Sequence, residues 1–385
     1  MTNELTRREI LRGGVAGLGA LALPEWAFPA LVQGEELVQF TDYPEGWKTE
    51  RGPETRFYDI RTIDGPFTPA NEFFTTQHHG HPQIDGTSFR LKVSGMVERP
   101  KDMSLSDIKA LGETELVAGF ECSGNSARAM QALASNARWT GVPLKKVLDN
   151  VGVKANGREI VFFGADSGTE EVEFRGRTYE VDQQYGRSMS VDDAMDAEPF
   201  LATGMDGKPL SVFQGYPLRL IVPGWYGAPN VKWLANVHIQ QDPYVGKYQA
   251  RWYRTLRGQM VGGEMKWTEN AITHMRLKSV VARVSKMGDT VKLVGFVLND
   301  GTPLRSVEVK IDDGAWQPAS LESGQSQYAW KLFTYEWKGA SAGEHTIVSR
   351  ATDVNGEVQP TSADLENKKT FLEDNSQHPR TILVA

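Results

Sequence analysis

The sequence predicts an α+β protein in two parts, a mixed α/β domain followed by a β-sandwich. Three observations point there. The chain has 385 residues, more than one ordinary domain holds. Strand-type and helix-type runs mix up to about residue 260. From about residue 275 only short β-type runs recur, at sandwich spacing.

Thr6-Arg7-Arg8-Glu9-Ile10-Leu11 precedes an apolar run from Gly13 to Leu23. That run is too short for a membrane core, which needs roughly 20 residues. A charged stretch before a short apolar run is the pattern of a signal peptide, and the paired Arg that of a twin-arginine signal. Residues 1–30 are therefore expected to be a twin-arginine-type signal, with a periplasmic mature protein and no membrane span. Lys and Arg number 42 against 49 Asp and Glu, a net charge of −7. Such an acidic chain argues against general binding to nucleic acid or anionic membrane. Ten Trp and 40% hydrophobic residues are enough for a real core. One cysteine, Cys122, excludes internal disulfides, a CxxC zinc site, an iron–sulfur cluster and a covalent CxxCH haem. No GxGxxG follows a strand, so there is no dinucleotide fingerprint.

Residues 31–70 read as irregular, with turn signals at Tyr43-Pro44-Glu45-Gly46 and Asp64-Gly65-Pro66. Phe89-Arg90-Leu91-Lys92-Val93 alternates as a strand does. Ser104-Leu105-Ser106-Asp107 reads as an N-cap into a short helix. Leu116 to Phe120 reads as a strand leading into Cys122, and Leu144 to Val151 as a helix ended by Gly152. Ile160 to Phe163 and Leu218 to Val222 read as buried strands. These elements make a first domain of 31–260. Strands are then expected at Val280–Val284, Val291–Leu298, Val307–Ile311, Tyr328–Leu332 and His345–Ala351. They form an immunoglobulin-like sandwich over 275–365, and 366–385 reads as a C-terminal tail.

Cys122 lies in Gly119-Phe120-Glu121-Cys122-Ser123-Gly124-Asn125-Ser126, a strand end followed by a turn. On these residues alone it is an inert buried thiol, a nucleophile needing a base, or a metal ligand. The nearest histidine cluster, His78, His79 and His81, sits beside Gly80 and Pro82 and so in a loop. That placement disfavours a zinc site built from these histidines and Cys122.

Six segments in order resemble the sulfite oxidase family of molybdenum enzymes. They are Phe120-Glu121-Cys122-Ser123-Gly124-Asn125; Trp139-Thr140-Gly141-Val142-Pro143-Leu144; Tyr185-Gly186-Arg187-Ser188; Gly215-Tyr216-Pro217-Leu218-Arg219 with Val222-Pro223-Gly224; Gly227-Ala228-Pro229-Asn230-Val231-Lys232-Trp233-Leu234; and Ala351-Thr352-Asp353 with Gln359-Pro360. The resemblance covers roughly 70–365. It implies a molybdopterin-binding catalytic domain followed by a dimerisation domain, with molybdenum held by one pterin dithiolene and the Cys122 thiolate. It further implies that Arg219 and Lys232 serve the cofactor's anionic end, and that Gln77, His78, Asp166, Ser188, Asn230 and Val231 bind the cofactor. Tyr253 falls on the tyrosine beside the reactive oxygen. Implied partners are a small sulfur oxyanion or a sulfur-carrier protein, a separate c-type cytochrome as electron acceptor, and a second copy in a homodimer.

Three departures bear on substrate. Thr76 and Ala127 stand where the family has sulfite-binding arginines, and Gln214 where it has a histidine. Arg128, one position on from Ala127, is the nearest substitute cation and a candidate catalytic residue. Sulfite is largely a dianion at neutral pH and calls for arginine forks. The Ser-Gly-Asn-Ser run also resembles the sulfane dehydrogenase branch, which acts on carrier-bound sulfur. The expected activity is thus oxygen-atom transfer at sulfur, with sulfite or a related compound as substrate. A reductase of an oxidised sulfur compound and a non-catalytic exported binding protein are the alternatives.

Overall fold

The computed structural model describes residues 31–53, 55–196 and 198–385. The twin-arginine-type signal at 1–30 lies outside the described residues.

Two five-stranded sheets dominate the first domain among the described residues. In one, Thr114–Glu121, Ala134–Pro143 and Phe200–Met205 lie side by side, antiparallel, and Arg219–Ile221 pairs with the start of the third. In the other, Leu91–Gly95 runs parallel to Leu234–Gln240, which pairs with Glu159–Phe174 and, beyond it, Arg177–Ser190. The short helices are locally encoded. Ser104 caps Leu105–Ala110 in a reciprocal box with Asp107. Leu144–Val151 buries Leu144, Val147, Leu148 and Val151, an i, i+3, i+4, i+7 face, and stops at Gly152 with a φ of 70°.

The sandwich packs the sheet Glu36–Val38, Lys278–Met287, Thr290–Leu298, Lys331–Lys338 and Ser320–Leu321 against the sheet Gln317–Pro318, Leu304–Ile311, Gly343–Asp353 and Arg380–Val384. Val281, Leu293, Val297, Val307, Ile347 and Ile382 share its core. A separate core joins the domains: Phe73, Phe120 and Trp139 from the first domain with Val280, Phe296 and Trp330 from the sandwich.

Three expected boundaries need correction. The 366–385 segment is not a loose tail. Its residues Arg380–Val384 pair antiparallel with Gly343–Ile347 and bury Ile382 and Val384. The first domain does not begin at 31 or end at 260. Glu36–Val38 pairs with Val284–Lys286 of the sandwich, and the hairpin Arg254–Val261 with Glu264–Ala271 crosses the 260 mark. Glu36–Val38 and Arg380–Val384 both serve the sandwich, because the edge of a sheet offers unpaired backbone groups to whichever strand reaches it. The strand expected at Tyr328–Leu332 starts at Lys331 instead. Before it the Tyr328 carbonyl accepts from Gly119 N, and Trp330 Nε1 donates to the Pro66 carbonyl, 2.7 Å away.

Candidate active site

Thr114–Glu121 ends where Cys122 opens a turn, closed by Asn125 N donating to the Cys122 carbonyl at 2.9 Å. The thiol is half-buried and 3.5 Å from Gly124 N. Burial pushes its pKa up, so an isolated Cys122 stays protonated. Its side chain opens on one cavity, shared with Gln77, His78, Asp166, Arg219, Asn230, Lys232 and Tyr253. Eight residues expected from six separate stretches thus converge on one space.

The cavity has a polar end and an aromatic end. At the polar end Lys232 Nζ donates to Thr75 Oγ1 at 2.9 Å, the Thr76 carbonyl at 3.2 Å and Gln77 Oε1 at 2.9 Å. Arg219 is buried, with its NH1 donating to Gln214 Oε1 at 2.8 Å. Its Nε finds no hydrogen-bond partner, and among the described residues no carboxylate pairs with it. Desolvation alone brings its pKa down to about 9. A buried guanidinium without a counter-charge is costly unless an anion joins it. Asp166 also faces the cavity, its pKa raised to about 6 by burial.

At the aromatic end His78 Nε2 lies 2.8 Å from the Tyr253 hydroxyl. The His78 ring stacks on Tyr248 at 4.7 Å and on Tyr185 at 5.8 Å. Burial and the nearby His79, Lys247 and Lys232 push its pKa down to about 4. His78 is therefore neutral at physiological pH. Burial raises the Tyr253 pKa well above the usual phenol range, so its hydroxyl keeps its proton.

Three expected residues lie outside this cavity. Ser188 is buried, its Oγ 2.5 Å from Glu159 Oε1. It sits an odd number of positions from Tyr185 on one strand, hence on the opposite face. Val231 packs into the apolar core with Leu220 and Leu234 while its neighbours face the cavity. Arg128 is exposed on the turn Ala127–Ala129, as is Ala127. Positive φ at Met130 and Gln131 turns the chain there. Asn230 contributes less than expected, because its amide donates to the Tyr226 carbonyl and its oxygen accepts from Val222 N, both at 2.8 Å.

Other cavity residues went unassigned from sequence: Thr75, Tyr185, Gln214 and Trp233. Tyr185 heads a segment already singled out, and strand alternation is the signal that separates it from Ser188. Gln214 was visible only as a departure from the family pattern. Among the described residues no group of three His, Cys, Asp or Glu side chains converges to hold a metal ion.

The donor set fits the expected cofactor. A lone soft thiol opens on a cavity also lined by Lys232 and by a buried guanidinium whose Nε has no hydrogen-bond partner. This is a molybdopterin-binding oxidoreductase fold, and residues 78–248 match the family model "Oxidoreductase molybdopterin binding domain". The chain is 28% identical to mitochondrial sulfite oxidase of Mus musculus over 341 residues, 80% of this chain and 60% of that protein. It is 28% identical to sulfite oxidase of Gallus gallus over 324 residues, 77% of this chain and 68% of that one. It spans about three fifths of the length of the mammalian relatives. The sulfane dehydrogenase SoxCD from Paracoccus pantotrophus shares its fold with a TM-score of 0.72 and 24% identity, over 89% of this chain and 90% of that one. Residues 78–248 thus form a molybdopterin-binding oxidoreductase domain, and the chain is similar to the sulfite oxidases over most of its length.

Proposed function

We propose that the chain is an exported, periplasmic molybdenum enzyme that oxidises sulfur, sulfite or a related compound, and passes the electrons to a separate c-type cytochrome. The convergence of Cys122, Tyr253 and His78 with Arg219 and Lys232 in one cavity carries this reading. Bound there, the molybdenum-molybdopterin supplies a two-electron couple and oxygen-atom exchange. The net reaction takes sulfite and water to sulfate, two protons and two electrons. The electrons leave one at a time to the cytochrome.

The chain's own residues do the rest. Cys122 offers the metal a thiolate, which metal binding keeps deprotonated. Arg219 and Lys232 hold the anionic end of the pterin, and their positive charge gains most in a dry cavity. Tyr253 keeps its proton, and His78 fixes its hydroxyl in the wall of the cavity that Cys122 enters. Tyr185 and Phe120 exclude water from the walls.

The homodimer is proposed through the sandwich, since C2 pairing is the commonest symmetry. Among the described residues no helix is long and apolar enough to cross a membrane. A second reading, a sulfane dehydrogenase-like enzyme acting on carrier-bound sulfur, is favoured by Thr76, which lines the cavity without offering a cation. A reductase of an oxidised sulfur compound uses the same site in the opposite direction. A non-catalytic exported binding protein predicts no pterin at all.

Metal analysis and a pterin fluorescence assay on protein from the periplasm test the reading, followed by turnover of sulfite with an artificial electron acceptor. Molybdenum and pterin near one per chain are expected. Protein free of both, from a host that makes the cofactor, overturns it.

A further inference from the structure

One side chain carries the sandwich into the turn that holds Cys122. Lys278 opens the strand Lys278–Met287 and is 1% exposed. Its ammonium donates to Glu121 Oε2 at 2.9 Å, Gln131 Oε1 at 3.2 Å and the Asn125 carbonyl at 3.4 Å. An ammonium has three protons, and all three acceptors here belong to residues 121–131. That stretch is the Cys122 loop.

The loop is built around this contact. Glu121 immediately precedes Cys122, is 1% exposed, and its other oxygen has no hydrogen-bond partner. Asn125 donates to Glu121 Oε2 at 2.8 Å and accepts from Leu133 N at 3.1 Å, closing a ring around the ammonium. Met130 and Gln131 take φ of 53° and 58°, a conformation that side-chain-bearing residues avoid. The local sequence does not favour this path, so tertiary contacts must hold it. A buried ion pair adds little stability compared with apolar residues of the same size, whereas losing one partner is costly. Its value here is geometric.

We propose that Lys278 is a positioning residue for Cys122, through which the sandwich fixes the direction of the metal-ligand thiolate. This rests on Cys122 ligating molybdenum. The pair ties Glu121 down on its side-chain end, and Gly227 N ties down its carbonyl at 2.7 Å. With both held, the next residue has little freedom, and its sulfur meets the cavity at one angle. The sandwich is thereby part of the active site without lining it.

The test uses the full chain, in Lys278→Met, Lys278→Arg and the double variant Glu121→Gln with Lys278→Met. Cys122 is the sole cysteine, so alkylation reads one thiol. In folded, metal-free Lys278→Met, alkylation should quicken at least about tenfold, as local opening of the loop exposes the sulfur. In metal-loaded Lys278→Met, the thiolate-to-metal absorption band and the Mo(V) resonance should shift. Lys278→Arg should restore both, because it returns the charge. A merely structural role would lower the melting temperature and leave the spectrum of the folded, loaded enzyme in place. If Lys278→Met does not fold, the double variant, which leaves no unpaired buried charge, is read in the same way. Unchanged alkylation and an unchanged spectrum in either folded variant overturn the proposal. A wild-type chain without molybdenum sinks the functional reading instead, and the alkylation arm still decides the role of Lys278 in the loop.

Discussion

The imidazole of His78 and the hydroxyl of Tyr253, 175 residues apart in sequence, meet at 2.8 Å on the wall of the cavity that Cys122 enters. Neither is ionised at neutral pH: burial holds the imidazole down at about 4 and the phenol well above its usual range. The pair therefore acts as a fixed dipole. Tyr253→Phe should keep its molybdenum and pterin but lose about a hundredfold in kcat/KM, the usual loss when one aimed donor is removed. Steady-state kinetics at measured metal content check this. The kcat of the wild type should show no titration of His78 between pH 5 and 8.

Arg219 tests the cofactor end. Its guanidinium is buried without an ion-pair partner, so the empty protein carries an uncompensated charge. Arg219→Met should lower pterin content at least about tenfold, the factor that about 1.4 kcal/mol of lost binding gives. The cofactor-free variant should melt no lower than the cofactor-free wild type, because an apolar side chain relieves the desolvation. A variant that binds the pterin normally would falsify the assignment of Arg219.

His378 supplies a pH dependence remote from the cavity. Burial, with Arg380 and Lys278 close by, holds its pKa down at about 4, against 6.5 for a free imidazole. The unfolded chain thus binds a proton that the folded chain refuses between those two values. The associated stability is complete above pH 6.5 and is lost as pH falls toward 4, by at most about 3 kcal/mol. Urea unfolding between pH 4 and 7 should show that slope, and His378→Gln should flatten it. Identical slopes in both proteins count against this origin.

Local signals carried well from sequence to structure, and long-range ones did not. The helix Leu144–Val151 is encoded by its own apolar spacing and by Gly152, all within one stretch. The strands Glu36–Val38 and Arg380–Val384 are too short for periodicity to reveal, and each becomes a strand only through a partner far along the chain. In the site, Cys122, Arg219 and Lys232 were legible because their segments resemble a known pattern. Ser188 and Val231 belong to such segments too, yet face away, because a segment match does not say which face of a strand looks inward. Lys278 stood just before the expected strand Val280–Val284, and no sequence signal tied it to Cys122.

Substrate choice turns on Thr76. It lines the cavity, and its carbonyl accepts from Lys232, whereas Ala127 is exposed and does not line it. Only one of the two missing arginines therefore belongs to a position that faces the reacting space. Among the described residues the cations lining that space are Arg219 and Lys232, both at the end assigned to the cofactor. A dianion such as sulfite finds no further fork there, and each absent charge-assisted contact costs roughly 1.5–3 kcal/mol. Sulfite should accordingly bind poorly, with a Michaelis constant roughly one to two orders of magnitude above that of an arginine-bearing site. Thr76→Arg should recover about tenfold or more in sulfite KM, whereas Ala127→Arg should change it less than about twofold, since its side chain starts outside the cavity. Kinetics with an artificial electron acceptor decide between them. A micromolar KM for sulfite in the wild type, unaltered by Arg128→Ala, would mean that another group supplies the charge.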